Sequence, residues 1–95
     1  MGCKPDTGAI QDFLDSLDGS VRPQVDNKIQ KITDNPEIGD RKHGWPENIR
    51  AVPVLNHRYV IAYRFTRNPE CVVTFILLAP HDELYKKMDS MYRRR

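Results

Sequence analysis

Cysteine is scarce in this sequence, and its two copies are poorly placed for binding a metal ion. Cys3 and Cys71 lie far apart, and neither belongs to a Cys-x-x-Cys pair or accompanies a His-x-x-x-His pair, the spacings that zinc ligands commonly have. The three histidines, His43, His57 and His81, are also isolated from one another. We therefore expect no metal site.

Long hydrophobic runs and glycine-rich loops are also missing. No apolar stretch approaches the ~18 residues that a membrane-spanning helix needs, and no Gly-x-Gly-x-x-Gly or Walker-type loop is present. The first residues, Met-Gly-Cys-Lys-Pro-Asp, contain no hydrophobic segment of the kind that a secretory signal requires. The sequence thus predicts a cytoplasmic protein that uses no cofactor. Because domains typically need on the order of 100 residues, the 95 residues predict a single domain over 1–95.

The two parts of the chain differ strongly in charge, although the net charge is only +2. Residues 1–40 contain four Lys and Arg against eight Asp and Glu, whereas residues 41–95 contain eleven against five. Residues 41–67 contain six cationic residues and a single acidic one, Glu47. Five of the six cations are arginine, whose planar guanidinium suits phosphate groups. This pattern favours a surface that attracts polyanions. An ordinary solvated strand surface would look the same in the sequence.

Hydrophobic periodicity predicts two helices in the acidic part of the chain. Apolar residues recur at steps of three and four over residues 7–18, and again over residues 21–32. Gly19 is expected to end the first helix in the left-handed conformation. The Asn-Pro pair at 35–36 ends the second, because the residue before a proline avoids the α region. The two segments would form a helical hairpin.

The basic part of the chain predicts three strands and a closing helix. Strands are expected at about residues 49–55, 57–65 and 71–79, and the third is so apolar that it should be central and buried on both faces. Pro53 indicates that the first of them is an edge strand or contains a bulge. A final helix should begin near residues 80–82.

These elements predict an α+β domain. An N-terminal helical hairpin would pack on an antiparallel sheet of three to four strands, followed by a short C-terminal helix. Trp45 is expected to anchor the loop before the first of these strands. With the helices on one face of the sheet, the other face would be open and would collect the arginines of neighbouring strands.

Four short strings follow one another in an informative order and spacing. They are Asn-Pro-Glu-Ile-Gly at 35–39, Gly-Trp-Pro-Glu-Asn-Ile-Arg at 44–50, Tyr-Val-Ile-Ala-Tyr-Arg at 59–64 and Pro-His-Asp-Glu-Leu-Tyr at 80–85. Together they make the chain resemble the RelE/ParE superfamily of toxins from type II toxin-antitoxin systems. The resemblance extends over roughly residues 9–88.

The resemblance implies a toxin that cleaves messenger RNA without a metal, usually on the ribosome, and that a bound antitoxin protein silences. Some members of the superfamily instead inhibit DNA gyrase and cleave nothing. A relative that kept the scaffold but lost the chemistry would be a degenerate RNA-binding module. All three functions remain open at the level of the sequence.

The same resemblance suggests which residues form the site. His81 and Tyr85 match a His-x-x-x-aromatic pattern of YafQ-like relatives, in which the histidine transfers protons and the aromatic ring orients or stacks a base. Histidine suits this role because its unperturbed pKa is about 6.5. Alternatively, His81 merely starts the helix and Tyr85 fills the core. Arg50 matches a basic position at the entry to the first strand, and Arg58 lies close to the positions where relatives place catalytic strand residues. The resemblance thus implies that both are catalytic and bind the scissile phosphate. The candidates for RNA binding are Arg41, Lys42, His43, His57 and Arg64.

Three features depart from the family pattern. Many relatives have an arginine where Val60 follows Tyr59, and an arginine often stands at the position of Asp82. A usual catalytic arginine would then be missing or supplied by Arg58. Residues 1–7 are short and polar, so the first strand of the family would be minimal or absent.

Overall fold

The chain folds into the α+β arrangement that its sequence predicts. A computed structural model describes residues 3–42 and 44–92, so His43 lies outside the described residues. The elements in chain order are β1 (Lys4–Asp6), a 3-10 turn (Gly8–Ile10), α1 (Gln11–Asp15), α2 (Arg22–Asp34), a second 3-10 turn (Pro36–Ile38), β2 (Ile49–Val54), β3 (Tyr59–Thr66), β4 (Val72–Pro80) and α3 (His81–Tyr92). None of the helices in the described part of the chain has the length and apolar character of a membrane-spanning segment.

The helical hairpin is present, but its first arm is shorter than predicted. The α-helical part of this arm stops at Asp15, where the Ser16 hydroxyl donates a hydrogen bond to the Phe13 carbonyl at 2.7 Å. The expectation that Gly19 adopts the left-handed conformation was wrong. Because the helix has already ended four residues earlier, at Asp15, Gly19 does not have to terminate it. Helix α2 follows its apolar periodicity and ends at Asp34, directly before the Asn-Pro pair.

The sheet contains four strands in the order β1-β4-β3-β2. The three predicted strands pair as an antiparallel meander, with β2 at an edge, as Pro53 indicated, and β4 inside the sheet. The fourth strand, β1, is minimal and lies parallel to β4, with Lys4 opposite Val72 and Asp6 opposite Thr74. The parallel direction is possible because the helical hairpin and strands β2 and β3 lie between β1 and β4 in the chain.

Both faces of the sheet are covered, which corrects the prediction of an open face. Strand β3 alternates, so that Ile61 and Tyr63 join the core beneath α2, whereas Val60 and Ala62 join a second core beneath α3. Helix α3 buries Leu84 completely in this second core. The final helix therefore occupies the face that the arginines were expected to share.

A disulfide bond joins Cys3 to Cys71 across a separation of 68 residues. The two cysteines flank the paired part of β1 and β4, and the pairing brings their Cα atoms to 4.6 Å. Next to the disulfide, the Lys4 amide donates a hydrogen bond to the Cys71 carbonyl at 3.0 Å. The sequence showed only that the cysteines are distant in the chain, and strand pairing decides that they meet.

The buried hydroxyl of Tyr63 ties the loop after α2 to the sheet. It donates a hydrogen bond to the Pro36 carbonyl and accepts one from the Gly39 amide at 3.0 Å. Gly39 is required by this close approach, because a Cβ atom at this position would lie 2.6 Å from the Tyr63 hydroxyl and 2.9 Å from the Arg50 Cβ. The loop that leads to the candidate site thus starts from a rigid point.

The G39A variant is expected to be less stable than the wild type by roughly 2 kcal/mol, because the added methyl group clashes with the buried Tyr63 hydroxyl and with the Arg50 side chain. Urea unfolding followed by the fluorescence of Trp45, the only tryptophan, measures this difference. G19A is a matched control, since a Cβ atom at Gly19 would have no atom within 4 Å. An equal loss of stability in both variants would contradict the proposed clash.

The free energy of unfolding of the Y63F variant is expected to be about 2 kcal/mol lower than that of the wild type at neutral pH, because a buried carbonyl and a buried amide lose their hydrogen-bond partner. Burial raises the pKa of Tyr63 above its ordinary value of 10.0. The raised pKa adds stability that is complete below about pH 10 and is lost as the pH rises toward the folded pKa. The difference in stability between the wild type and the variant should therefore shrink above pH 10. Urea unfolding at pH 7 and pH 11 tests this, and a constant difference would refute it.

Candidate functional site

The candidate site lies where the last strand passes directly into α3. Pro80, the last residue of β4, pairs with Tyr59, the first residue of β3, so His81 lies beside the turn between β2 and β3. Within α3, the spacing of four places His81, Tyr85 and Asp89 along one side of the helix. This side is distinct from the one that buries Leu84.

The rings of Trp45, His81 and Tyr85 lie together with the side chain of Lys42, and we call these four residues the aromatic cluster. The ring of Tyr85 is central: Trp45 stacks on it with ring centroids 5.8 Å apart, and His81 approaches it edge-on at 4.7 Å. The ammonium group of Lys42 lies 4.8 Å from the centroid of the Tyr85 ring, a distance at which a cation is attracted to the aromatic face. A cation, an imidazole and a phenol therefore meet at one point of the surface.

Trp45 anchors the preceding loop, as the sequence predicted. Its indole is buried, and its Nε1 donates a hydrogen bond to Asp89 Oδ1 at 3.1 Å. The Trp45 amide donates to the Lys42 carbonyl at 3.1 Å, and Gly44 within this turn has a φ of 91°, which favours glycine. The turn thereby carries Lys42 to the ring of Tyr85.

The phenol of the cluster is protonated and can donate a hydrogen bond. Burial, and then the negative charge of Asp40, raise the pKa of Tyr85 above 10.0, so the phenol keeps its proton at neutral pH. His81 is more accessible, with 59% of its side chain exposed, and its Nδ1 lies 3.3 Å from Asp82 Oδ1. An exposed imidazole beside a protonated phenol can exchange protons with a bound molecule.

Arg50 does not join the aromatic cluster. It shares a face of β2 with Val52 and Val54, on the side of the sheet that α2 covers. It pairs with Tyr63, four residues along β3 from Tyr59, or about 13 Å from the end where His81 lies. Its guanidinium donates hydrogen bonds to the carbonyls of Glu37, Gly39 and Glu47. These contacts give Arg50 a structural role in holding the loop.

Arg58 and His57 lie at the same end of the sheet as His81. Both are exposed residues of the turn between β2 and β3, in which Leu55, Asn56 and His57 have positive φ values. Arg58 lines a cleft of about 420 Å³ between this turn and the helical hairpin, together with Asp18. It directly precedes Tyr59, the partner of Pro80, and is therefore closer to the start of α3 along the sheet than Arg50 or Arg64.

The remaining predicted cations are separate from the cluster. Arg64 is exposed and pairs with Ile49 and Thr74, about 17 Å along β3 from the end where His81 lies. Arg41 precedes Lys42 in the chain but forms an ion pair with Glu47 at 3.8 Å. The arginines of the strands thus do not converge with His81 and Tyr85 as the sequence suggested.

Two acidic residues of the site were missed at the level of the sequence. Asp89 could have been found, because it follows Tyr85 by four residues on a predicted helix. Asp40 gave no local signal, since its effect on Tyr85 depends on the bridge between Asp40 and Ala51 at the edge of β2. Among residues 3–42 and 44–92, no three His, Cys, Asp or Glu side chains are grouped as a metal site would require.

Solved structures of known proteins share the fold of this chain. A double arginine-to-alanine variant of the E. coli toxin RelE in the free state is 18% identical, covers 96% of this chain and 98% of its own, and superposes with a TM-score of 0.70. The isolated E. coli RelE toxin is 19% identical, with coverages of 94% and 95% and a TM-score of 0.63. At these identities the likeness shows the fold. A search of curated proteins finds no match.

The family itself is shown by the sequence. The profile of the ParE-like toxins of type II bacterial toxin-antitoxin systems matches residues 6–89, which include all the helices and strands except the first two residues of β1 and the last three of α3. The chain therefore belongs to the family of ParE-like toxins of type II bacterial toxin-antitoxin systems.

Proposed function

We propose that this toxin is an endoribonuclease that cleaves messenger RNA, on the ribosome and in the cytoplasm, without a metal. The observation that carries the proposal is the edge-on contact of an exposed imidazole, His81, with the protonated phenol of Tyr85 at 4.7 Å. Cleavage of RNA by its own 2′-hydroxyl needs little more than positioned proton donors and acceptors and a positive charge. The aromatic cluster offers all three.

Each group of the cluster has a role in this chemistry. His81 takes the proton of the ribose 2′-hydroxyl, or returns one to the leaving 5′-oxygen. Tyr85 donates its hydroxyl proton in a hydrogen bond to the phosphate, because its raised pKa keeps it neutral. Lys42, beside the same ring, opposes the negative charge that builds up on the phosphorus oxygens. The exposed ring of His81 also suits the stacking of an unpaired base.

Arg58 is the arginine that best complements the cluster. It is exposed, lies in the turn next to the start of α3, and could hold the phosphate that His81 acts on. His57 in the same turn, with Arg41 beside Lys42 in the chain and Arg64 farther along the sheet, would contact the RNA backbone. Arg50 is left out of the chemistry, because its guanidinium is occupied by backbone carbonyls.

The partners follow from the family and from the charge. A type II toxin implies a cognate antitoxin protein. The basic second part of the chain, with eleven Lys and Arg against five Asp and Glu, suits RNA on the ribosome. An antitoxin that silences the enzyme would have to cover or distort the aromatic cluster.

Induced expression in bacteria tests the proposal. The wild type should arrest growth with rapid loss of translated messages, and H81A or R58A should abolish this loss while accumulating as folded protein. K86A is a matched control, because Lys86 lies exposed on the same helix outside the aromatic cluster. Growth arrest with intact messages would refute the nuclease.

Inhibition of DNA gyrase is the second candidate function. It is favoured by the ParE-like family match and by the separation of Arg50 and Arg64 from His81. Under this alternative, expression would stall replication and leave messages intact, and purified toxin would block DNA supercoiling. The absence of any growth arrest would instead indicate a degenerate RNA-binding module.

A further inference from the structure

Strand β1 is held to the sheet almost entirely by its backbone and by the disulfide. It contains three residues, and the side chains of Lys4, Pro5 and Asp6 are all exposed, so no apolar burial within the strand secures it. The ion pair between Lys4 and Glu70, at 3.6 Å, is at the surface, where such pairs contribute little. The covalent link from Cys3 to Cys71 is therefore the dominant tether.

The partner of β1 is the most apolar strand of the sheet. β1 pairs with Val72, Val73 and Thr74 only, so it covers the first third of one edge of β4. If β1 departs, these three residues lose their only neighbour on that edge within the described chain. A bare apolar strand edge exposes unpaired amides and carbonyls, which another chain can pair with.

We propose that Cys3 and Cys71 form a reversible redox site that controls whether β1 covers the edge of β4. In the oxidised form, the disulfide holds β1 in register. A dithiol reductant attacks one sulfur, the bond between Cys3 and Cys71 breaks through a mixed disulfide, and two cysteine thiols form while the dithiol becomes a disulfide. Two electrons and two protons thus pass from the dithiol to the protein.

This inference rests on the proposed function only for the place where the reductant acts, which is the cytoplasm. There, disulfides are usually transient or redox-sensing. The site lies at the opposite end of β4 from His81, and the inference needs no nuclease activity. Failure of the redox site and failure of the nuclease can therefore be told apart.

The first step of the test establishes the bond in the purified full-length protein. Intact mass after alkylation should show no alkylated cysteine in the oxidised protein and two after treatment with dithiothreitol, with full reversal when the oxidant diamide is added. Alkylation of both cysteines without reductant, or a failure to reform the bond, would overturn the proposal.

The second step uses hydrogen exchange followed by mass spectrometry, with C3S/C71S as the matched variant. On reduction, the amides of β1 and of residues 72–74 should exchange at least about 100-fold faster and lose their protection, while those of β3 exchange faster only by the loss of global stability and remain protected. The variant should resemble the reduced wild type with or without dithiothreitol. The proposal is wrong if β1 keeps its protection after reduction, or if all strands lose theirs together, since the disulfide would then be inert or purely structural.

Discussion

Replacing His81 by alanine is expected to slow RNA cleavage by about 10²- to 10³-fold, because the variant lacks the group that we propose to transfer protons. The measurement is the single-turnover rate on a short RNA, or on a programmed ribosome if free RNA is a poor substrate. Since 59% of the His81 side chain is exposed, the variant should fold like the wild type. Unchanged unfolding in urea checks this.

Two further variants separate chemistry from structure in this prediction. K86A changes an exposed residue of α3 outside the aromatic cluster and should cleave at the rate of the wild type. Y85F keeps the ring that contacts His81 and Trp45 but removes the proposed donor, so it should be about 10-fold slower. A fully active H81A would remove His81 from the mechanism, and an equal loss in K86A would point to a general effect on α3.

Replacing Cys71 by serine is expected to lower the free energy of unfolding by roughly 4 kcal/mol under oxidising conditions. The disulfide closes a loop of 68 residues, and in the chain-entropy model such a cross-link mainly restricts the unfolded chain. Urea unfolding followed by Trp45 fluorescence measures the loss. This prediction concerns the stability of the whole fold, whereas hydrogen exchange reports the local opening of β1.

Dithiothreitol supplies the control for the cysteine variant. Reduced wild-type protein should unfold at nearly the same urea concentration as C71S, because both lack the cross-link and differ by one atom. The stability of C71S itself should not depend on the reductant. A large difference between C71S and the reduced wild type would mean that the serine changes the local packing at position 71, and does not act only through the loss of the bond.

Most of the secondary structure could be predicted from the sequence. Helix α2 follows its apolar spacing and ends before the Asn-Pro pair at 35–36, and α3 starts directly after Pro80. The alternation of residues in β3 separates the two faces of the strand. These signals are local, because the apolar period of a helix or a strand involves residues only a few positions apart. The family strings added the pairing of His81 with Tyr85, which the structure brings into contact.

The positions of the arginines could not be predicted in the same way. Arg50 looked like a phosphate ligand, but the register of β2 and the loop after α2 turn its guanidinium toward backbone carbonyls. Lys42, a secondary candidate, instead reaches Tyr85, because the turn at Gly44 and the buried Trp45 direct it there. Register and burial depend on residues that are distant in the chain, and the charge pattern does not contain them.

The sequence by itself indicated the α+β class, the order of the elements after β1, and an edge or bulged position for β2, while the family resemblance added the pairing of an imidazole with a phenol at the start of α3. Only the tertiary structure decided that α3 covers the second face of the sheet, that Cys3 meets Cys71, and which cation joins the site. The physical reason is one of range. Periodicity and capping act between near neighbours, whereas strand register, the covering of a face and the approach of two sulfurs follow from the packing of the whole chain.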